Sequence, residues 1–235
     1  MANFVINPVA PKKMSAEDFK KIAQFITQEF GVKMPINKKL MLEGRLHRRL
    51  VALELPSYRD YIDYVLSPEG LSSELVHMMD VVTTHKTDFF RESIHFSFLM
   101  ERALPEYQHQ LRYNKPLKIW SAGSSSGEEA YTIAMVLEDF TNNGVYFDYQ
   151  ILATDISMQM LQDTRKAVYP MERVAPVPLE YKKRFMLASK DKSRPTVRMK
   201  SHLRKKINVK WLNLIDRDYS IYEEFDIVFC RNVLI

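Results

Sequence analysis

Cysteine is nearly absent: Cys230 is the single one in 235 residues. No intrachain disulfide can form, and a reducing compartment, the cytosol, is the expected setting. Glycine is also scarce, six in all, and no G-x-G-x-x-G occurs, so the usual dinucleotide fingerprint is missing. No uninterrupted apolar run approaches the ~20 residues needed to span a bilayer, which excludes direct membrane insertion by a helix. Met1-Ala-Asn-Phe-Val-Ile-Asn-Pro8 lacks the basic segment, apolar run and cleavage site of a secretory signal. Metal-ligand spacing is missing too. His85 has no second His or Cys near it, His95 and His109 read as structural or solvated, and no metal is expected. There is no internal repeat and no low-complexity tract.

What remains is ordinary for a globular protein, 46% hydrophobic and 27% charged, and long enough for one large domain or two smaller ones. A formal net charge of +5 and a pI near 9.1 favour an acidic partner. Residues 1–80 read as a small helical module without strand signals. Ser15, three residues before Asp18, can cap a helix carrying Phe19, Ile22, Ala23, Phe25, Ile26 and Phe30, and Gly31 is placed to end it. Asn37 is expected to cap a second helix from Lys38 to about Leu53, with Leu40, Met41, Leu50 and Val51 among its apolar positions. Ser57 opens Tyr58–Leu66, Ser67-Pro68-Glu69-Gly70 reads as a turn, and Leu71–Met79 as a further helix.

Residues 81–235 have a different texture. Leu117–Trp120, Tyr149–Thr154 and Phe225–Cys230 are short apolar runs, and the first two are followed by turn chemistry and a helical stretch. That alternation predicts an α/β fold, a parallel sheet with helices on both faces, whose ligands bind at the carboxyl ends of the strands. Between about 168 and 208 the rhythm breaks: Pro170, Pro176 and Pro178 crowd its start, and twelve Lys/Arg stand against three Asp/Glu. This reads as an inserted basic subdomain, a small antiparallel sheet, with strand character over Arg198–Val209.

The residues able to carry chemistry fall at the predicted strand ends. Lys118-Ile-Trp-Ser-Ala-Gly-Ser-Ser-Ser-Gly-Glu-Glu-Ala-Tyr131 runs from a strand through a small-residue turn into a helix, and Gly123 and Gly127 let a ligand approach main-chain N–H groups. The acidic pair Glu128-Glu129 would repel a phosphate; carboxylates suit hydroxyls or an amino group, such as the ribose and methionyl ammonium of S-adenosylmethionine. Asp155, roughly thirty residues on at the end of the second strand, either accepts from ribose hydroxyls or caps the helix that follows. Val82–Glu92 is an interdomain linker anchored by Phe89-Phe90, or part of the site. Arg231-Asn232 after the third run, and Asn213 in Trp211-Leu-Asn-Leu214, are turn residues or amides for an adenine edge or substrate backbone.

Together these segments resemble the bacterial chemotaxis receptor methyltransferase family (CheR-type). The matching motifs are Thr83-Thr84-x-x-Thr87-x-Phe89-Phe90-Arg91-Glu92, Trp120-Ser-Ala-Gly-x-Ser-Ser-Gly-Glu-Glu, Ala153-Thr154-Asp155-Ile156, Val168-Tyr169 and Phe225-Asp-Ile-Val-Phe-Cys-Arg-Asn-Val233, in the family's order. The resemblance implies a Rossmann-like S-adenosylmethionine-dependent methyltransferase sheet, a small N-terminal all-helical domain, and methyl transfer to glutamate carboxylates of chemoreceptors, leaving S-adenosylhomocysteine. It implies a cofactor pocket lined by His85, Thr87, Arg91, Gly123, Glu128 and Asp155, with Asn213, Leu214, Arg231 and Asn232 on the adenosine side, and Arg91 near the reacting sulfur and incoming carboxylate. Lys38, Lys39, Arg45, Arg48 and Arg49 would face the receptor's cytoplasmic methylation helices; read without the family they are a solvated face. The basic insert matches a β-subdomain that in some members docks a receptor C-terminal tail peptide.

His85 stands where many members have Asn, and Ser124 and Ala130 replace a Cys and a Pro. The family continues past the position of Ile235 with a Tyr-Phe and further elements; a chain ending at Ile235 would leave a sheet edge exposed and is expected to bind cofactor better than it turns over. Two rival readings accompany this one. A nucleic-acid methyltransferase would suit the basic insert, yet the Asn/Asp-Pro-Pro-Tyr type of motif is absent and no nucleic-acid partner is expected. A non-catalytic cofactor-binding interaction module is the other.

Overall fold

The computed structural model describes residues 13–111, 115–142 and 147–233, with the side chains of 108–111 and 142 outside the description. His109's side chain and the chain end at Ile235 therefore lie outside the described residues. The chain divides into two compact units, Met1–Thr84 and His85–Ile235.

The described part of the first unit is helical: α1 (Ala16–Phe30), α2 (Lys39–Ala52), α3 (Tyr58–Val65), α4 (Pro68–Ser73) and α5 (Leu75–Val82). Ser15 Oγ accepts from the Asp18 N–H and opens α1, and Gly31, left-handed at φ 68°, closes it. Ser57 caps α3 in the same way. Three expectations are corrected. Asn37 does not cap α2; a single 3-10 turn, Ile36–Lys38, leads into it and Lys38 is the capping residue, without a side-chain bond. Ser67-Pro68-Glu69-Gly70 is no turn: Ser67 Oγ accepts from Gly70 N–H, Pro68 sits in the first helical position where its missing N–H costs nothing, and α4 begins there. On α2 the core stripe is Leu42, Leu46 and Leu50, one helical turn apart, while Leu40 and Val51 are exposed.

The second unit carries α6 (Ile94–Phe98), a π-helical turn (Leu99–Ala103) and α7 (Leu104–Leu111) before its first strand. Then come β1 (Leu117–Ala122), α8 (Glu128–Asn142), β2 (Tyr149–Asp155), α9 (Met158–Lys166), β3 (Val168–Pro170), α10 (Leu179–Phe185), β4 (Met186–Ala188), β5 (Thr196–Met199), α11 (Ser201–Arg204), β6 (Ile207–Trp211) and β7 (Ile227–Cys230). Four strands form a parallel sheet in the order β6-β2-β1-β7. The other three form an antiparallel sheet, β3-β5-β4. The small sheet lies inside the segment read as an insert, but the strand character assigned to Arg198–Val209 divides: residues up to Met199 belong to the small sheet, and β6 from Ile207 is a strand of the main one.

α8 is buried almost all round, from Ala130 through Leu137, because it packs between the sheet and further elements. Phe89 is buried edge-to-face on Tyr169, with ring centroids 5.0 Å apart, and Phe96 stacks on Phe229 at 6.0 Å. The Phe89-Phe90 segment is thereby pinned to the same core that carries the sheet.

Candidate active site

Strand register sets the site. Ala122 pairs with Thr154 on one side and with Cys230 on the other, so Gly123, Asp155 and Arg231, each the next residue along, stand at one level at the carboxyl edge of the sheet. The strand order reverses at β1, with β2 to one side and β7 to the other, and it is outside the carboxyl ends at such a switch point that open α/β sheets bind their ligands.

The turn after β1 requires its glycines. Gly123 has φ +70° and Gly127 φ +93°; a Cβ at Gly123 would come 2.5 Å from a Val233 methyl, and at Gly127 2.8 Å from the Thr164 methyl. Ser125 also adopts positive φ. The turn is held from every side. Ser124 N–H donates to Thr154 O (2.8 Å), Thr164 Oγ1 to Ser125 O (3.0 Å) and Tyr169 Oη to Ser126 O (2.8 Å), while Ser125 Oγ donates to His85 O (3.1 Å).

Asp155 is buried, and each of its oxygens accepts one backbone N–H: Oδ2 from Ser125 (2.8 Å), Oδ1 from Ser157 (2.9 Å). It is not the cap of α9, a role Ser157 takes by accepting from Met160 N–H. A carboxylate has about four acceptor sites, so Asp155 can brace the turn and still accept from ribose hydroxyls.

The acidic pair diverges. Glu129 accepts from Ser121 Oγ (2.7 Å) and pairs with Arg231 (3.1 Å). Arg231 also reaches Glu92 at 3.1 Å and the Arg91 carbonyl. Its guanidinium thus ties the end of β7, α8 and the 89–92 segment together. Asn232, at φ 57°, donates weakly to Glu92 at 3.4 Å. Glu128 has 0% exposure. Its Oε2 accepts from Ser126 Oγ at 2.7 Å, and it pairs with Arg173, a residue that no local motif marked. Burial, above all, pushes both glutamates above the ordinary carboxylate range, against the opposing pull of Ser126 and Arg173 on Glu128 and of Ser121 and Arg231 on Glu129.

Arg91 Nη1 donates to Lys86 O at 2.7 Å, and the Thr87 carbonyl lies 3.4 Å from Arg173. Asn213 is buried after β6, where Oδ1 accepts from Ile215 N–H at 3.4 Å, and the Leu214 carbonyl accepts from Tyr219 Oη at 2.7 Å. The residues expected on the pocket wall therefore stand at the carboxyl edge of the sheet or in the 85–92 segment beside it.

S-adenosylmethionine fits this donor and acceptor set. Two buried oxygens of the turn, Ser124 Oγ and Glu128 Oε1, have no hydrogen-bond partner among the described residues; Oε1 lies against Arg173 without hydrogen-bond alignment. A buried carboxylate offers itself to an ammonium, and Asp155 to hydroxyls.

Of the five basic residues assigned to a receptor surface, the structure turns two inward. Arg45 donates to Val82 O, Thr83 O (3.1 Å) and Thr84 Oγ1 (3.1 Å), satisfying the carbonyls at the end of α5. Arg49 forms a bidentate pair with the buried Glu74 (2.8 and 2.7 Å), to which Tyr61 Oη also donates. Lys38, whose Nζ donates to Lys33 O, and Arg48 are exposed; Lys39 lies 3.7 Å from Glu43.

A parallel sheet with a glycine turn after β1 and an acidic residue closing β2 defines an α/β protein built to hold an adenosyl cofactor. Residues 85–235 match the model of the CheR methyltransferase SAM-binding domain, and residues 17–83 that of the CheR all-alpha domain. The chain belongs to the CheR methyltransferase family. Curated relatives named chemotaxis protein methyltransferase agree. The one from Borreliella burgdorferi is 35% identical over 94% of this chain and 78% of its own length. Chemotaxis protein methyltransferase 2 of Pseudomonas aeruginosa is 35% identical over 93% and 75%, and the Escherichia coli protein 31% over 94% and 74%.

Proposed function

We propose that this protein transfers a methyl group from S-adenosylmethionine to side-chain carboxylates of glutamates in the cytoplasmic helices of chemoreceptors, giving glutamyl methyl esters. The observation that supports the proposal is that the turn before Glu128 is bonded both to Asp155, through Ser125 N–H, and to the 85–92 segment, through Ser125 Oγ and the His85 carbonyl. The names of the relatives support chemotaxis as the setting.

The cofactor supplies an electrophilic methyl on a sulfonium. The chain's residues bind and orient. Glu128 takes the ammonium, Asp155 the ribose hydroxyls, and Asn213, Leu214 and Asn232 frame the adenosine. An acceptor glutamate is ionised at neutral pH, so it needs alignment and desolvation rather than a general base. Arg91 provides alignment: one of its five donors holds Lys86 O, and a planar guanidinium matches a carboxylate. Too tight a pairing would blunt the nucleophile, so its role is positioning. Lys38, Lys39 and Arg48 offer charge to an acidic receptor helix, while Arg45 and Arg49 hold up the helical unit that presents them.

The test is transfer of labelled methyl to receptor-containing membranes. Arg91→Ala is expected to lower kcat/KM by about 100-fold with S-adenosylhomocysteine binding reduced far less; a variant as active as the parent refutes the assignment. Methylation of DNA or RNA in place of receptor would favour a nucleic-acid methyltransferase.

A further inference from the structure

Arg173 lies in the short helical turn Met171–Val174 that follows β3, at the start of the basic segment. Its Nη2 pairs with the Glu128 carboxylate and stands 3.3 Å from Ser126 Oγ and 3.4 Å from the Thr87 carbonyl. One guanidinium thus joins the 85–92 segment, the glycine turn and the start of α8. The two partners differ in freedom. The Glu128 side chain has 0% exposure and that of Arg173 38%, so the anion is fixed inside and the cation stands at the rim. Glu128 Oε1 faces Arg173 yet has no aligned hydrogen bond, whereas Oε2 is held by Ser126.

A buried carboxyl that is ionised needs a counter-charge beside it. An α-amino acid group carries both signs on one carbon: its ammonium can replace Arg173 at Glu128 Oε1, and its carboxylate then meets a guanidinium left beside it, the geometry a planar fork accepts in two bonds. The exchange leaves no charge unpaired at either stage. An arginine serving only as a clip between loops would not need to lie against the one buried carboxylate of the turn.

We propose that Arg173 is a positioning residue for the amino-acid end of the cofactor, neutralising Glu128 in the free protein and passing to the cofactor's carboxylate when its ammonium occupies Glu128. The proposal rests on the reading of the glycine turn as the cofactor site. Two ligands separate it from a structural role: S-adenosylhomocysteine, which carries the amino-acid end, and 5′-methylthioadenosine, the same adenosyl thioether without it. Calorimetric titration of the full chain with each is expected to show Arg173→Gln weakening S-adenosylhomocysteine by about tenfold or more, with 5′-methylthioadenosine changed less than about twofold. Arg173→Lys, which keeps the charge but not the fork, should recover part of the loss. Equal weakening of both ligands, or of neither, overturns the proposal. A parent protein that binds neither ligand instead overturns the cofactor reading of the turn on which it rests.

Discussion

Replacing Gly127 by alanine probes how tightly the turn is built. At φ +93° an L side chain is strained, at a cost of about 1–2 kcal/mol. The new Cβ would also come 2.8 Å from Thr164 Cγ2 and 2.9 Å from its Oγ1. Thr164 is buried and hydrogen-bonded to the carbonyls of Ser125 and Met160, both at 3.0 Å, so it cannot swing away without loss; such overpacking costs about 1–3 kcal/mol. The expected destabilisation is therefore about 2–5 kcal/mol, the sum of the two contributions. Urea unfolding followed by tryptophan fluorescence reads the correct unit, because Trp120 and Trp211 both lie within His85–Ile235. In a Thr164→Ala background the crowding disappears and only the conformational part, about 1–2 kcal/mol, should remain. Gly44 is the control: it lies within α2 with nothing inside 4 Å of an added Cβ. Gly44→Ala should stabilise the helical unit by about 1 kcal/mol, read by far-ultraviolet circular dichroism. A Gly127→Ala loss below about 1 kcal/mol would refute the reasoning.

Other consequences concern charge. Arg49→Ala strands the buried Glu74 carboxylate and is expected to cost about 3–5 kcal/mol in chemical denaturation. Arg48→Ala, at an exposed position, should stay within about 0.5 kcal/mol while raising the KM for receptor; if the two variants behave alike, their division into brace and docking charge fails. Burial holds the Glu128 carboxyl above the ordinary 4.5, so the folded chain takes up this proton more readily than the unfolded one. The stability it contributes is fullest below pH 4.5 and declines as pH rises through the raised folded value. Glu128→Gln should remove that component, so its stability relative to the parent should improve as pH rises above 4.5; a difference that does not change with rising pH would contradict the assigned cause.

Local chemistry made much of the fold legible. Ser15 and Gly31 mark α1 because capping satisfies groups within a few residues, and the apolar runs at β1, β2 and β7 stand out from polar flanks. The failures share a cause. Ser67-Pro68-Glu69-Gly70 has turn composition, but Pro68 at a first helical position and a Ser67 cap are equally local reasons for a helix, and the buried packing of Gly70 decided it. β6 does not stand out from the basic segment in the sequence, because Ile-Asn-Val-Lys-Trp is partly exposed and lacks a strong apolar run. At the site, Gly123, Glu128 and Asp155 are legible in the sequence because each lies at or shortly after the end of an apolar strand run. Arg173 is not, because its pairing with Glu128 joins distant segments and nothing beside it in sequence signals the contact. For Arg45 and Arg49 the sequence shows charge, while only packing shows that α5 and Glu74 claim it.

The acceptor chemistry is the central claim, and base lability tests it most directly. Receptor membranes labelled with S-adenosyl-[methyl-³H]methionine by this protein are treated with mild alkali, and volatile methanol is measured. Carboxyl methylation predicts that nearly all receptor-bound label is released as methanol. Label that stays on the protein through alkali would place the methyl on nitrogen or another stable site and contradict glutamate esterification.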